Sequence, residues 1–148
     1  MKPGIIKVIT LTAVILSVIL LLWQMNKKNQ KLVTINNSKI KIEIAEKLKE
    51  QTKGLAGRAK LEKNAGLLFL YHGYKIRSFW MKGMEFPLDI IWIKDNEIVG
   101  IAKNAPLYNQ NEVKHYLSPV PVNYVLEVNA GFCDKNNIKI GDRIDLDL

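Results

Sequence analysis

Cysteine is almost absent from this chain: Cys133 is the only one in 148 residues. That excludes an internal disulfide and any zinc site built from several thiolates. The two histidines, His72 and His115, lie far apart and show no ligand spacing, so no metal or other cofactor is expected. Acid is missing from the opening of the chain, where Glu43 is the first carboxylate. Of the 22 Lys and Arg residues, four fall in residues 1–30, leaving 18 against 14 acids and a net charge near +4 for residues 31–148. Those basic residues are scattered rather than striped, which argues against a nucleic-acid footprint, because phosphate neutralisation needs clustered cations. A phosphate-cradling glycine loop, a metalloprotease His-Glu pair and a serine elbow are absent too. No repeat or low-complexity tract interrupts the chain, and its length suits one domain with a real core.

What is present begins with grease. "VITLTAVILSVILLLWQM", Val8 to Met25, carries no charge. With Ile5, Ile6 and a Lys7 able to snorkel, residues 5–25 would span roughly 31 Å as a helix, close to the thickness of a bilayer core. The run is apolar all round, unlike a core helix, which keeps a polar stripe. Trp23 falls at its far end, where an indole prefers the interface. No small-residue cleavage pair follows, so residues 1–26 read as an uncleaved transmembrane signal anchor. "KKNQK" then supplies a polar linker over 27–31. Flanking lysines are nearly balanced, and the short N-terminal tail favours a single-pass protein with its domain on the extracytoplasmic side of the cell membrane.

Residues 32–148 read as mainly β. "KLVTI" and "KIKIEI" form a hairpin around Asn36 and Asn37, with Ile40, Ile42 and Ile44 alternating against charged residues. "AEKLKEQTKGLAGRAKL" changes period, placing Ala45, Leu48, Thr52, Leu55 and Ala59 on one helical face with a break near Gly54 or Gly57. Six strand-like runs follow: "GLLFLY", "KIRSFW", "LDIIWIK", "EIVGIAK", "YVLEVN" and "RIDLDL". Asp95-Asn96 is a two-residue hairpin turn. "LDIIWI" is apolar on both faces and suits a central strand, whereas "RIDLDL" suits an outer one. "AGFCDKNNI" reads as a short helical turn, and residues 105–122 as a long irregular stretch. No βαβ rhythm is read, and the expected fold is a small antiparallel β-sandwich or partly open barrel with one short helix.

Candidate site residues cluster around "SFWMKGMEFPLDIIWI", residues 78–93. Trp80 beside Lys82 could form a platform for a sugar or an acidic ligand; the alternative is a core tryptophan. Asp89 shares a strand face with Ile91 and Ile93, and a carboxylate there must be paired, with Arg58, Arg77 or Lys82 as candidates. Glu127 sits the same way beside Val125. The two carboxylates are either structural or an acid/base pair. Cys133, placed in a polar loop, and His72, in a turn, are weaker candidates for chemistry.

"GLAGR" (54–58), "AGLLF" (65–69), "FWMKGMEFPLDIIWI" (79–93), "NAP" (104–106), "YVLEVNAG" (124–131) and "IKIGDRI" (138–144) together resemble the family called domain of unknown function 192. The resemblance implies a compact, mostly β domain, often exported in prokaryotes, with no settled activity. It puts recurrent polar positions on Arg58, Lys82, Asp89, Glu127 and Asp142. The chain departs from the family pattern at Ala56-Gly57, Leu67 and Gly83-Met84. Two functions follow as expectations. One is a binding or accessory module at the cell envelope, holding a glycan or anionic envelope ligand through Arg58, Trp80, Lys82, Asp89 and Glu127. The other is a hydrolase or lyase on an envelope polymer, with Asp89 and Glu127 as acid and base.

Overall fold

The computed structural model describes residues 14–20 and 31–147. Residues 14–20 are helical, and their side chains are exposed. They lie within the predicted membrane span; the rest of that span, and residues 27–30 of the predicted linker, fall outside the described residues. Among the described residues no helix is long and apolar enough to cross a membrane.

Residues 31–148 form a unit with its own core. The strands are β1 (Lys31–Ile35), β2 (Ser38–Ala45), β3 (Ala65–Lys75), β4 (Ser78–Phe79), β5 (Leu88–Lys94), β6 (Glu97–Ala105), β7 (Tyr116–Leu117), β8 (Val122–Asn129) and β9 (Ile144–Asp147). Two short helices join them, α1 (Leu48–Lys53) and α2 (Phe132–Lys135). Seven strands form one sheet in the order β6-β5-β8-β3-β2-β1-β9, and β4 pairs with β7 in a small ribbon. The large sheet curls into a half-barrel. Its edge strands approach each other at one end, where Glu97 bridges to Arg143 and the Ile98 amide donates to the Asp142 carbonyl at 2.9 Å. The partly open barrel is therefore the right alternative, and the sandwich is not formed.

Both predicted turns are present. Asn36 (φ 53°) and Asp95 (φ 58°) take the left-handed conformation that tight hairpins need. β5 is buried along six consecutive residues between β6 and β8, and β9 is an edge, as their patterns imply. One expectation fails: β2 and β3 run parallel, joined through α1, so a βαβ unit does exist. The helical period concealed it. α1 has only six residues, buries none of them, and leaves Leu48 79% exposed. Ala45 belongs to β2, and Leu55 is buried from the turn after the helix. The apparent helical face is thus shared by three different local structures.

The sheet has an apolar core on each face. The inner core takes Val33, Ile40, Leu68, Ile91, Leu126 and Ile144 from the strands, plugged by Phe132 and Cys133 of α2. The outer core takes Leu67, Phe69, Ile90, Trp92 and Val125, covered by Leu55, Met81 and Tyr116. Residues 105–122, expected to be irregular, therefore form part of the outer cover. Pro119 packs so close to β6 that a Cβ on Gly100 would lie 2.9 Å from its ring.

Candidate functional site

Asp89 and Glu127 lie on neighbouring strands, yet they face opposite sides of the sheet. In the antiparallel β5–β8 register Asp89 opposes Val128, whereas Ile90 opposes Glu127. Directly opposed residues share a face. Val128 belongs to the inner core and Ile90 to the outer one. The two carboxylates cannot converge on one substrate, so the expected acid/base pair is not formed.

Asp89 is fully buried and is bound by backbone amides rather than by Arg58, Arg77 or Lys82. Its Oδ1 accepts from Asn104 N–H at 2.8 Å and Gly131 N–H at 3.2 Å; its Oδ2 accepts from Cys133 N–H at 2.9 Å. A bulge explains the first bond. Leu88 pairs with Ala105 and Ile90 with Ala102, which leaves Lys103 and Asn104 together opposite Asp89. Asn104 (φ 52°) turns its amide off the ladder toward the carboxylate. Asp89 is a structural clip between β5, the bulge and α2. Cys133 is likewise structural: it is buried in the core, not in a polar loop, and burial pushes its thiol well above the ordinary range.

Glu127 is the opposite case. It is 5% exposed, and its Oε2 is buried with no hydrogen-bond partner among the described residues. Leu67 and Ile90 oppose it on the two neighbouring strands. Burial among such groups raises its pKa to about 8. Gly54 passes directly over it: a Cβ there would sit 3.9 Å from Glu127 Oε2 and 3.5 Å from the Phe69 ring. Gly54 also ends α1 at φ 51°, ψ −136°, a conformation open to glycine and strained for other residues.

Glu127 lines a cleft of about 260 Å³ with Trp80, Lys82, Tyr71, Phe79 and Lys53. Phe69 stands edge-to-face with Phe79 at 4.9 Å and stacks with Tyr71 at 6.5 Å. Tyr71 is capped by the Arg77 guanidinium, 3.6 Å above its ring, and burial raises its phenol to about 12. Trp80 is 46% exposed, stacked on the His115 imidazole at 5.7 Å and edge-on to Tyr108 at 6.3 Å. Lys82 Nζ lies over the indole at 5.2 Å. The arrangement is a half-exposed aromatic wall, cations at the rim and one unpartnered carboxyl at the floor.

Three of the five sequence-predicted site residues thus come together: Trp80, Lys82 and Glu127. Asp89 is on the other face. Arg58 makes a two-pronged ion pair with Glu43 on the surface, at 2.6 and 2.7 Å, and does not line the cleft. Tyr71 and Phe79 were missed as site residues. Tyr71 could have been found from the alternation Leu67, Phe69, Tyr71 along one strand face. His115 gave no signal, because only the β4–β7 ribbon brings its stretch to Trp80.

The model of an uncharacterised family, described as "Uncharacterized ACR", matches residues 31–146. The chain belongs to the DUF192 family. Among solved structures, this DUF192 domain is similar to a Sinorhizobium meliloti protein described provisionally as a transcription regulator. The TM-score is 0.73 at 28% identity, over 79% of this chain and 93% of that one. It is also similar to a protein of unknown function from Novosphingobium aromaticivorans, with a TM-score of 0.71 at 32% identity, over 77% of this chain and 83% of that one. No curated protein matches.

Within the DUF192 domain, Asp142 accepts from Lys139 N–H at 2.8 Å and Asn36 Nδ2 at 2.9 Å, which lowers its pKa and ties the last turn to the first hairpin. Four of the departures from the family pattern, Ala56, Gly57, Gly83 and Met84, meet in space. Gly57 N–H donates to the Gly83 carbonyl at 2.8 Å, a Cβ on Gly83 would be 3.2 Å from Ala56 Cβ, and Ala56 and Met84 both line the cleft. Small residues on one side accompany a small residue on the other, and the rim of the cleft is where this member differs.

Proposed function

We propose that this DUF192 protein is a membrane-anchored, extracytoplasmic binding module, and that the cleft of Trp80, Lys82 and Glu127 holds a glycan of the cell envelope. The support is the convergence of those three side chains on one cleft of about 260 Å³. The exposed indole offers a flat apolar face for a sugar ring, and the lysine and carboxyl supply polar contacts to its hydroxyls. The apolar run at residues 5–25 motivates the anchor. With Asp89 fully engaged by backbone amides on the other face, no second carboxyl among the described residues stands beside Glu127 for glycoside chemistry. The description of the Sinorhizobium relative is not carried over, because the basic residues of this chain are scattered rather than clustered.

Titration of the full-length chain in mild detergent with a panel of envelope glycans tests the site. Binding should quench tryptophan emission and raise the melting temperature, and Trp80→Ala should weaken it at least about tenfold, 1.4 kcal/mol. A panel without a binder removes the glycan reading. Protease treatment of intact cells that leaves residues 31–148 uncut would overturn the orientation.

A further inference from the structure

The floor of the cleft poses a chemical question that a neutral sugar does not answer. Glu127 Oε2 is buried without a partner, although the residue lines an open cleft. An unpaired buried carboxylate costs several kcal/mol, on the order given for unpaired ions, so the group holds its proton and presents an O–H donor. The neighbouring charged or titratable groups are Lys53 at the end of α1, Tyr71 on β3, and Arg77 and Lys82 on the segment that carries β4. Tyr71, raised to about 12, stays neutral, and the other three are cations. Among the described residues no second acid lines the cleft. The surrounding cations repel an ammonium group, and they and the carboxyl's O–H together favour an anionic oxygen.

We propose that Glu127 is the floor of a subsite for an acidic sugar: its carboxyl donates a hydrogen bond to the carboxylate of a uronic acid, while Lys82 at the rim pairs with that carboxylate's charge. The inference rests on the glycan reading of the same cleft and narrows it to one ligand class. An O–H donor to a carboxylate makes a short, charge-assisted bond that an ester or a hydroxymethyl group cannot match. The sign of the pH dependence follows. Binding uses the protonated form, so affinity is level at neutral pH and falls as pH rises through about 8.

Calorimetry on the full-length chain in mild detergent, with galacturonate, mannuronate and glucuronate oligomers and their methyl esters, tests this. At least one oligomer should bind at neutral pH, with its ester tenfold or more weaker. Its affinity should drop about thirtyfold between pH 7 and pH 9.5, as expected for one proton leaving a group near 8. Glu127→Gln keeps a donor but cannot titrate. It should retain binding while the pH profile flattens, with native tryptophan emission in both proteins across the pH range, so that loss of the donor is separated from loss of the fold. Esters that bind as well as the acids, or a profile unchanged in Glu127→Gln, overturn the acidic subsite and leave the glycan reading standing. Failure of every acid and ester alike, in protein whose tryptophan emission is native, overturns the subsite; failure of the neutral members of the wider panel as well removes the glycan reading.

Discussion

At the residue scale, two carboxyls one strand apart have opposite fates because one has donors and the other has none. Asp89 gathers three backbone amides, so its charge is compensated inside the core. Truncation would strand those amides without an acceptor. Asp89→Ala should cost about 3 kcal/mol or more in urea unfolding. Glu127 meets only apolar neighbours on its adjoining strands, and its proton is retained up to about pH 8. The unfolded chain releases that proton near the ordinary 4.5. Between those two pH values the folded state binds more protons than the unfolded one, so this group's contribution to stability falls as pH rises and levels off above about 8. Glu127→Gln removes the loss. The variant should gain several kcal/mol relative to wild type on going from pH 4.5 to pH 9, read as the difference between two series of urea midpoints. A difference independent of pH would show that Glu127 ionises normally.

At the scale of elements, the cleft is made by segments with little regular structure, held on a regular sheet. β8 and β3 supply the floor; α1 with the turn after it and the segment that carries β4 supply the walls, and residues 105–122 cover the outer core beside them. Those covers are fixed by close contacts rather than by long hydrogen-bonded ladders. Gly100 is one such contact, since any side chain would press on Pro119 and on Trp92, 2.9 and 3.1 Å away. Gly100→Ala should cost about 1–3 kcal/mol through overpacking. It should also loosen the 105–122 cover, seen as faster amide exchange at Ser118, whose N–H is bonded to the Arg77 carbonyl. Alternation and turn chemistry made the hairpins, the central β5 and the edge β9 legible in the sequence. α1 was overdrawn, because residues in a strand, a one-and-a-half-turn helix and a following turn fell by coincidence on a helical period. The β4–β7 ribbon was illegible for a related reason: two-residue strands carry no period.

At the scale of the molecule, residues 31–148 contain both apolar cores and every strand of the sheet. A fragment starting at residue 31 should therefore fold without the preceding segment and give a predominantly β circular dichroism spectrum. A helical or random spectrum would contradict the architecture. The curl of the sheet separates two environments: a sealed interior plugged by α2, and an outer face whose cover is open at the Glu127 cleft.

The sequence by itself determined the mainly β class, the hairpin turns, the apolar N-terminal run, the family, and the identity of Trp80, Lys82 and Glu127 as residues needing an account. These are local or compositional properties, carried by period, turn chemistry and motif. Only the tertiary structure decided which carboxyl is satisfied and which is not. Strand register places Asp89 and Glu127 on opposite faces, a bulge delivers an amide to the first, and chain segments distant in sequence assemble an aromatic wall over the second. Register and long-range packing depend on pairing between strands, and no single segment encodes its partner.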